Sequence, residues 1–429
     1  MTRPLRIALL TYRGHPYVGG QGVYVRNLSR ELVRRGHQVE VVSGQPYPVL
    51  DDGVVLHELP SLDLYDPVRP FRRPARDEYR DTVDVVERAI MLTGGYPEPL
   101  TFSLRAHRWL REHRDRFDLV HDNQTLGYGL LGIPALGLPV VETIHHPITV
   151  DRRIEVAAAP TRGRRMGVRR WYGFVGMQGR VARRLRHIVT VSEQSRADLI
   201  RELGIRPERL DVTHVGVDPS TFRPRPDVAR VPGRIVTTAS SDSTLKGGRV
   251  LVEAVARLRC QRDDLELCFV GRPRAGGPLE QAIDRLGLAT TVSFHSGIRD
   301  EELVRLLASA SVAVVPSLYE GFCLPAAEAM ACGTPLVASR AGALPEVVGS
   351  DGQAGLLVPP GDPDALAAAL GRVLDDEVLA RRLGTTAHHR VLARFTWDRT
   401  AAATEAVYTR ALGLPTAAGR PTAVLAAER

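Results

Sequence analysis

The chain has 429 residues, 44% of them hydrophobic and 25% charged, with a formal net charge of +8. That length exceeds what one hydrophobic core serves, so two domains of roughly 200 residues each are expected, and the composition excludes a disordered or fibrous chain. The positive balance favours anionic small molecules or surfaces, but the arginines are spread along the chain without a basic tail, so nucleic acid is not indicated as a partner.

The N-terminal apolar run in MTRPLRIALLTYRG is too short for a signal peptide and suits a first strand, LRIALLT (5–11). A glycine loop with Gly19, Gly20 and Gly22 follows. The next segment, from about Gly22 to Arg35, predicts a helix with Val23, Leu28 and Leu32 roughly on one face. QVEVVS (38–43), DLVHD (118–122), PVVETI (139–144) and HIVTVS (187–192) read as further strands. The segment 161–186 places Trp171, Phe174, Val175, Gln178, Ala182 and Leu185 on one helical face with arginines around the rest. Such a stripe faces a core or lies on an anionic membrane. The proline-rich stretch 213–233 lacks helical periodicity and reads as a linker.

Alternation then restarts with RIVTTAS (234–240), ELCFVG (266–271), TVSFHS (291–296), VAVVP (312–316) and PLVAS (335–339). The fold class is therefore α/β, with two doubly wound domains facing each other across a cleft at their strand C-termini. The expected division is 1–215, 216–395, a helix at 396–413 crossing back to the first domain, and a loose tail at 414–429. Cys260, Cys268, Cys323 and Cys332 form no CxxC pair and no metal-type spacing with histidine, as expected of reduced thiols. No apolar run is long enough to span a membrane, so a cytoplasmic location is expected.

The densest chemical signal is PSLYEGFCLPAAEAMACGTPLVAS (316–339). A strand ends at Pro316, Glu320 and Gly321 form a loop, and Pro325 belongs in a first helical turn. The N–H groups of Gly321, Phe322, Cys323 and Leu324 would then point out of a helix N-terminus, an anion site. Glu328, one turn in, is suited to accept two hydroxyl hydrogen bonds from a ribose. Acidic residues near helix starts also serve the dipole alone, by about 0.3–1 kcal/mol. Upstream, SDSTLKGGR (241–249) holds Lys246, the only lysine in a chain with 57 lysines and arginines together.

Glu320 and Glu328 in this frame closely resemble the retaining GT-B glycosyltransferases of family 4. So do VGGQGVYVRNLSRELVRRGHQVEVV (18–42), TVSE (190–193), GVDPSTFRP (216–224), GALPEVVG (342–349) and GLLVPPGDPDALA (355–367). The resemblance implies two facing Rossmann-like domains. It also implies transfer of a hexose-type sugar from a UDP- or GDP-sugar to an acceptor hydroxyl, with the anomeric configuration kept and no metal or other cofactor.

By position, His145, Lys246 and Glu320 would be catalytic. Gly19, Gly20, Ser240, Ser241, Lys246, Gly321, Phe322, Cys323, Leu324 and Glu328 would bind the donor, and Asp122, Asn123 and His146 the acceptor. A compact ammonium reaches between phosphate oxygens where a planar guanidinium fits less well. The family's arginine five or six residues before this lysine is replaced by Ser240 and Ser241, so either Arg249 or Arg272 supplies the second cation, or donor binding leans harder on Lys246. The acceptor would be a small molecule, a glycan or a lipid-linked sugar, the last with peripheral membrane contact through 161–186 at the inner face. The alternatives are a sugar-nucleotide epimerase of the same architecture, or a non-catalytic protein binding glycans or nucleotide sugars.

Overall fold

Strands covered on both faces read as short, nearly continuous apolar runs, and here they assemble into two parallel sheets. A computed structural model describes residues 3–15, 20–65, 72–238 and 243–415. The first sheet contains β1 (Arg6–Thr11), β2 (Gln38–Ser43), β3 (Val55–Glu58), β4 (Leu119–Asn123), β5 (Val140–Ile144), β6 (His187–Thr190) and β7 (Leu210–Val212). Their order is β3-β2-β1-β4-β5-β6-β7. The second contains β8 (Arg234–Thr237), β9 (Glu266–Val270), β10 (Val292–His295), β11 (Val312–Val315), β12 (Leu336–Ser339) and β13 (Leu356–Val358), in the order β10-β9-β8-β11-β12-β13. In each sheet the winding reverses beside the first strand, between β1 and β4 and between β8 and β11. Loops part there and leave a crevice at the strand C-termini.

The expected strands are present, most with their ends trimmed; β2 keeps its expected bounds and β4 runs one residue on, to Asn123. Those not expected, β3, β7 and β13, are short and lie at sheet edges. An edge strand pairs on one side only and needs no long apolar run. β3, VLHE, is nowhere fully buried.

The expected first helix runs Gln21–Arg34 and buries Tyr24, Val25, Leu28 and Leu32. Helix Trp397–Ala411 packs back against it and against β5 and β6. Its Tyr408 is fully buried, with the hydroxyl 2.6 Å from His121 Nδ1, while His121 Nε2 lies 2.7 Å from Thr143 Oγ1. Apolar contact is continuous between the two sheets through Tyr24, Phe222, Phe322, Phe395 and Trp397.

The basic segment 161–186 is not one helix. It divides into Arg162–Trp171, a turn at Tyr172–Phe174, and Val175–Ala182. Val175, Gln178, Ala182 and Leu185 are buried, so most of the apolar stripe serves the core. The surface keeps Arg162, Arg164, Arg165 and Arg169, with Trp171, Tyr172 and Phe174 partly exposed beyond them. Among the described residues no helix is long and apolar enough to cross a membrane.

Candidate active site

Lys246 reaches the crevice of the second sheet because its loop is pinned to the exit of β11. The segment Thr244–Lys246 is a short 3-10 turn leading into helix Gly248–Leu258. Gly247 adopts φ +67, and a Cβ there would stand 2.0 Å from the Pro316 carbonyl oxygen, so only glycine permits this approach. Leu318 N–H donates to the Leu245 carbonyl at 2.7 Å. Lys246 Nζ then lies 2.8 Å from Glu320 Oε1, which also accepts from Ser317 Oγ at 2.7 Å. Burial works against the ammonium, but Glu320 more than offsets it and raises the lysine above its ordinary value.

Helix Leu324–Ala331 begins as expected, with Pro325 in its first turn and Cys323 at its N-cap. Cys323 holds φ 86 without a glycine, a conformation that costs roughly 1–3 kcal/mol. No acceptor among the described residues takes the N–H groups of Gly321, Phe322, Cys323 or Leu324. Glu328, partly buried one turn on, makes no ion pair among the described residues. Burial, and secondarily Asp300, push its carboxyl up to about 7.

The first sheet brings a different set to its crevice. His145 follows β5, and its Nε2 donates to Asn123 Oδ1 at the end of β4 (2.8 Å). Tyr24 packs edge-on against the imidazole at 4.8 Å. Burial, with His146 alongside, pushes His145 down to about 3, so the ring is neutral. Gln124 clamps the adjoining backbone: its Oε1 accepts from His145 N–H at 2.6 Å and its Nε2 donates to the His146 carbonyl at 2.9 Å. Burial works against charge on His146, yet Asp151 Oδ2 at 2.8 Å from its Nε2 raises it overall.

Asp122 and Asn123 correct the expectation that they contact an acceptor directly. Both are fully buried. The Asp122 carboxylate accepts from Thr125 N–H (2.9 Å) and Leu126 N–H (3.3 Å), and across the strands it faces Glu142. Burial raises both acids. Asp122 thus holds the turn that presents Gln124, and Asn123 orients His145.

The two halves meet at Gly321. A Cβ there would stand 2.6 Å from the His145 carbonyl oxygen and 3.2 Å from His146 Cβ, so glycine is required by space. Ser192 Oγ donates to the Gly321 carbonyl at 2.6 Å, and Ser195 Oγ lies 3.1 Å from that oxygen and 3.0 Å from the His145 carbonyl. Ala343 N–H holds the Glu320 carbonyl at 2.9 Å, and Glu346 accepts from Glu193 N–H at 2.9 Å. Ser192, Ser195, Ser317, Gln124 and Asp151 were not singled out from the sequence. The strand-end run TVSE was the available signal for the first of them.

Of the remaining expected residues, Gly20 caps helix Gln21–Arg34 at φ 74. Gly19, Ser240 and Ser241 lie outside the described residues. Arg249 points outward, 3.9 Å from Glu253, whereas Arg272 sits two residues beyond β9 at the cleft end of its sheet. The whole arrangement offers an ammonium, a helix N-terminus with unused N–H groups, a carboxylate poised for a diol and a neutral imidazole. It is suited to stabilising an anion as it departs from a polyhydroxylated group.

A family model described as Glycosyltransferase Family 4 matches residues 18–221, and one described as Glycosyl transferases group 1 matches residues 232–376. An MMP alpha-(1->4)-mannosyltransferase of Mycolicibacterium hassiacum is 54% identical over 409 residues, covering 95% of this chain and 98% of that protein. Among solved structures, sucrose-phosphate synthase from Thermosynechococcus elongatus superposes with TM-score 0.72 at 25% identity, covering 95% of this chain and 99% of the other. Anabaena HepE in complex with UDP and glucose gives TM-score 0.71 at 18% identity, covering 94% and 99%. The chain belongs to glycosyltransferase family 4 and is a hexosyltransferase of the GT-B fold.

Proposed function

We propose that this chain moves a mannose-type hexose from a UDP- or GDP-linked donor to a sugar hydroxyl, keeping the α configuration and needing no metal. The observation that carries this reading is the meeting of Gly321, next to the Lys246–Glu320 pair, with the His145 carbonyl. It supports a donor diphosphate between the ammonium and the Gly321–Leu324 amides, with its sugar towards His145. The name of the mannosyltransferase relative supports the sugar and the α-(1→4) linkage.

Residues 216–395 would hold the donor and 1–215 the acceptor. Glu328 would accept from the ribose hydroxyls, and Arg272, better placed than Arg249, would supply the second cation. Glu320 is committed to Lys246 and Ser317, so it orients the ammonium and a sugar hydroxyl instead of attacking. The acceptor oxygen bonds to the anomeric carbon from the face on which the phosphate departs. The bond to the phosphate oxygen breaks, and the acceptor proton passes to that oxygen. Lys246 and the helix terminus supply the positive field for which other enzymes use a divalent ion.

Calorimetric titration of UDP, GDP and ADP against wild type, Glu328→Ala and Lys246→Met tests the site. One nucleotide should bind, and each substitution should weaken it more than about tenfold, roughly 1.4 kcal/mol. Binding that ignores both changes rejects the assignment. NMR of the product's anomeric proton decides retention, and full activity in a chelator supports metal independence.

A further inference from the structure

A second group of side chains flanks His145 at the cleft end of the first sheet and has no part in the donor site. Arg13, two residues past β1, lies 5.1 Å from the ring of Tyr65 and 3.2 Å from Glu98. Tyr96 donates its hydroxyl to Glu98 at 2.6 Å and lies 5.1 Å from the ring of Trp171, which is 5.3 Å from Tyr65. Phe174 continues the row, 5.4 Å from Tyr96, and Tyr172 stacks on it at 6.1 Å.

Two connections tie this row to the reacting centre. Thr11, which donates to the Arg13 carbonyl, lies within 3.4 Å of Asn123 Nδ2, and Asn123 holds His145. On the other flank, helix Thr149–Ala158 packs against the turn carrying Lys246. Its Asp151 pairs with His146, and its Glu155 accepts from the Tyr172 hydroxyl at 2.8 Å. Those two acids are one helical turn apart, about 6 Å along the axis. The row therefore starts roughly one sugar's length from the histidines and leads away from them.

Packing accounts for the back of the row, where Trp171 covers Leu62, Leu64 and Met91. Towards the front the rings are less covered. Tyr65 is 41% exposed, and Tyr96, Trp171, Tyr172 and Phe174 are only partly buried. Flat apolar ring faces with polar tips at the edge of a cleft mark a binding surface. A sugar chain is the ligand that matches: its C–H faces lie on rings while its hydroxyls stay in water. The cation inside the row, Arg13, is already paired with Glu98, which favours a neutral chain over an anionic one.

We infer that Tyr65, Tyr96, Trp171, Tyr172 and Phe174 form a shelf for a neutral oligosaccharide acceptor, gripping the sugars behind the one that is extended. The inference rests on the glycosyl-transfer reading above and deepens it. The acceptor is then a chain of several sugars, and affinity grows with its length.

The test measures transfer by the full chain to mannose and to α-(1→4)-linked mannose di- and tetrasaccharides, in wild type, Tyr65→Ala, Trp171→Ala and Trp171→Phe. KM should fall at least tenfold from mono- to tetrasaccharide in wild type. Tyr65→Ala and Trp171→Ala should lose most of that gain, with donor affinity and mannose KM within twofold, and Trp171→Phe should keep it. Tyr65, at the exposed edge, carries the test if Trp171→Ala does not fold. An unchanged tetrasaccharide KM in Tyr65→Ala, or equal losses for all acceptors, overturns the shelf while leaving the transfer reading intact. A wild type that binds donor but transfers to no mannoside overturns both.

Discussion

At the crevice between β8 and β11 the converging groups are ions and dipoles: Lys246 against Glu320, a Glu328 with no ion pair among the described residues, and a helix N-terminus. At the matching crevice of the first sheet, the His146–Asp151 pair apart, they are mostly neutral side chains and backbone groups. His145 is held by Asn123 and Tyr24, its backbone is clamped by Gln124, and two buried acids, Asp122 and Glu142, lie behind. The same topology has been given opposite electrostatics. On the proposed reading, a departing diphosphate would need positive field on one wall, whereas a sugar and its acceptor would need hydroxyl-scale hydrogen bonds on the other. Gly321 is the hinge of the contrast, because the turn that starts helix Leu324–Ala331 meets the histidine carbonyl of the other sheet there.

Removing the charge on the second wall should have the largest effect. Lys246→Met should lower kcat/KM about a hundredfold, the value of losing a charge-assisted hydrogen bond of roughly 1.5–3 kcal/mol. Steady-state kinetics with wild-type and variant enzyme check it, and a loss below about fivefold would remove Lys246 from the site.

Disturbing the junction comes next. Gly321→Ala forces a methyl to within 2.6 Å of the His145 carbonyl, and overpacking of this kind costs about 1–3 kcal/mol. Activity should drop about thirtyfold. Nucleotide affinity should change less, since the closed approach of the two walls suffers more than either wall alone.

The pH dependence separates the walls further. Glu328 sits at about 7 in the free protein, and two hydroxyl donors need its ionised form. Affinity for an intact nucleotide sugar, whose phosphates do not titrate near neutrality, should therefore fall as pH drops through 7, by up to about tenfold per unit. Glu328→Gln should bind more weakly at pH 8 and show no such slope. His145, near 3, contributes nothing to that limb, so a slope that survives Glu328→Gln assigns the titration elsewhere. The smallest effect is expected at the neutral wall: Ser195→Ala removes one hydroxyl near two carbonyls, about 1 kcal/mol or fivefold in kcat/KM.

The charged wall was legible in the sequence and the neutral wall largely was not. Glu320, Gly321, Pro325 and Glu328 fall within one strand–turn–helix, so local spacing places them together, and Lys246 stands out in a chain that otherwise uses arginine. Gln124 and Ser195 are ordinary polar residues whose roles depend on partners many residues away, and Asp151 matters through His146, five residues before it, only once the chain turns from β5 into the next helix. Asp122 and Asn123 carry the right chemistry at a strand end, but neither burial nor the turn at Thr125 shows in DNQT. The stripe at 161–186 could face core or membrane by periodicity alone, and its break at Tyr172–Phe174 sends most of it inward.

Alternating apolar runs and glycine or proline stops determined two parallel α/β sheets by themselves, because strand and helix periodicities are local. They also determined the turn from β11 into its helix, where proline and glycine restrict the backbone directly. The tertiary structure alone decided which loops share a crevice, since strand order is set by long-range pairing. It also decided which histidine is neutral and which is paired, because those states follow from burial and from neighbours that no stretch of sequence contains.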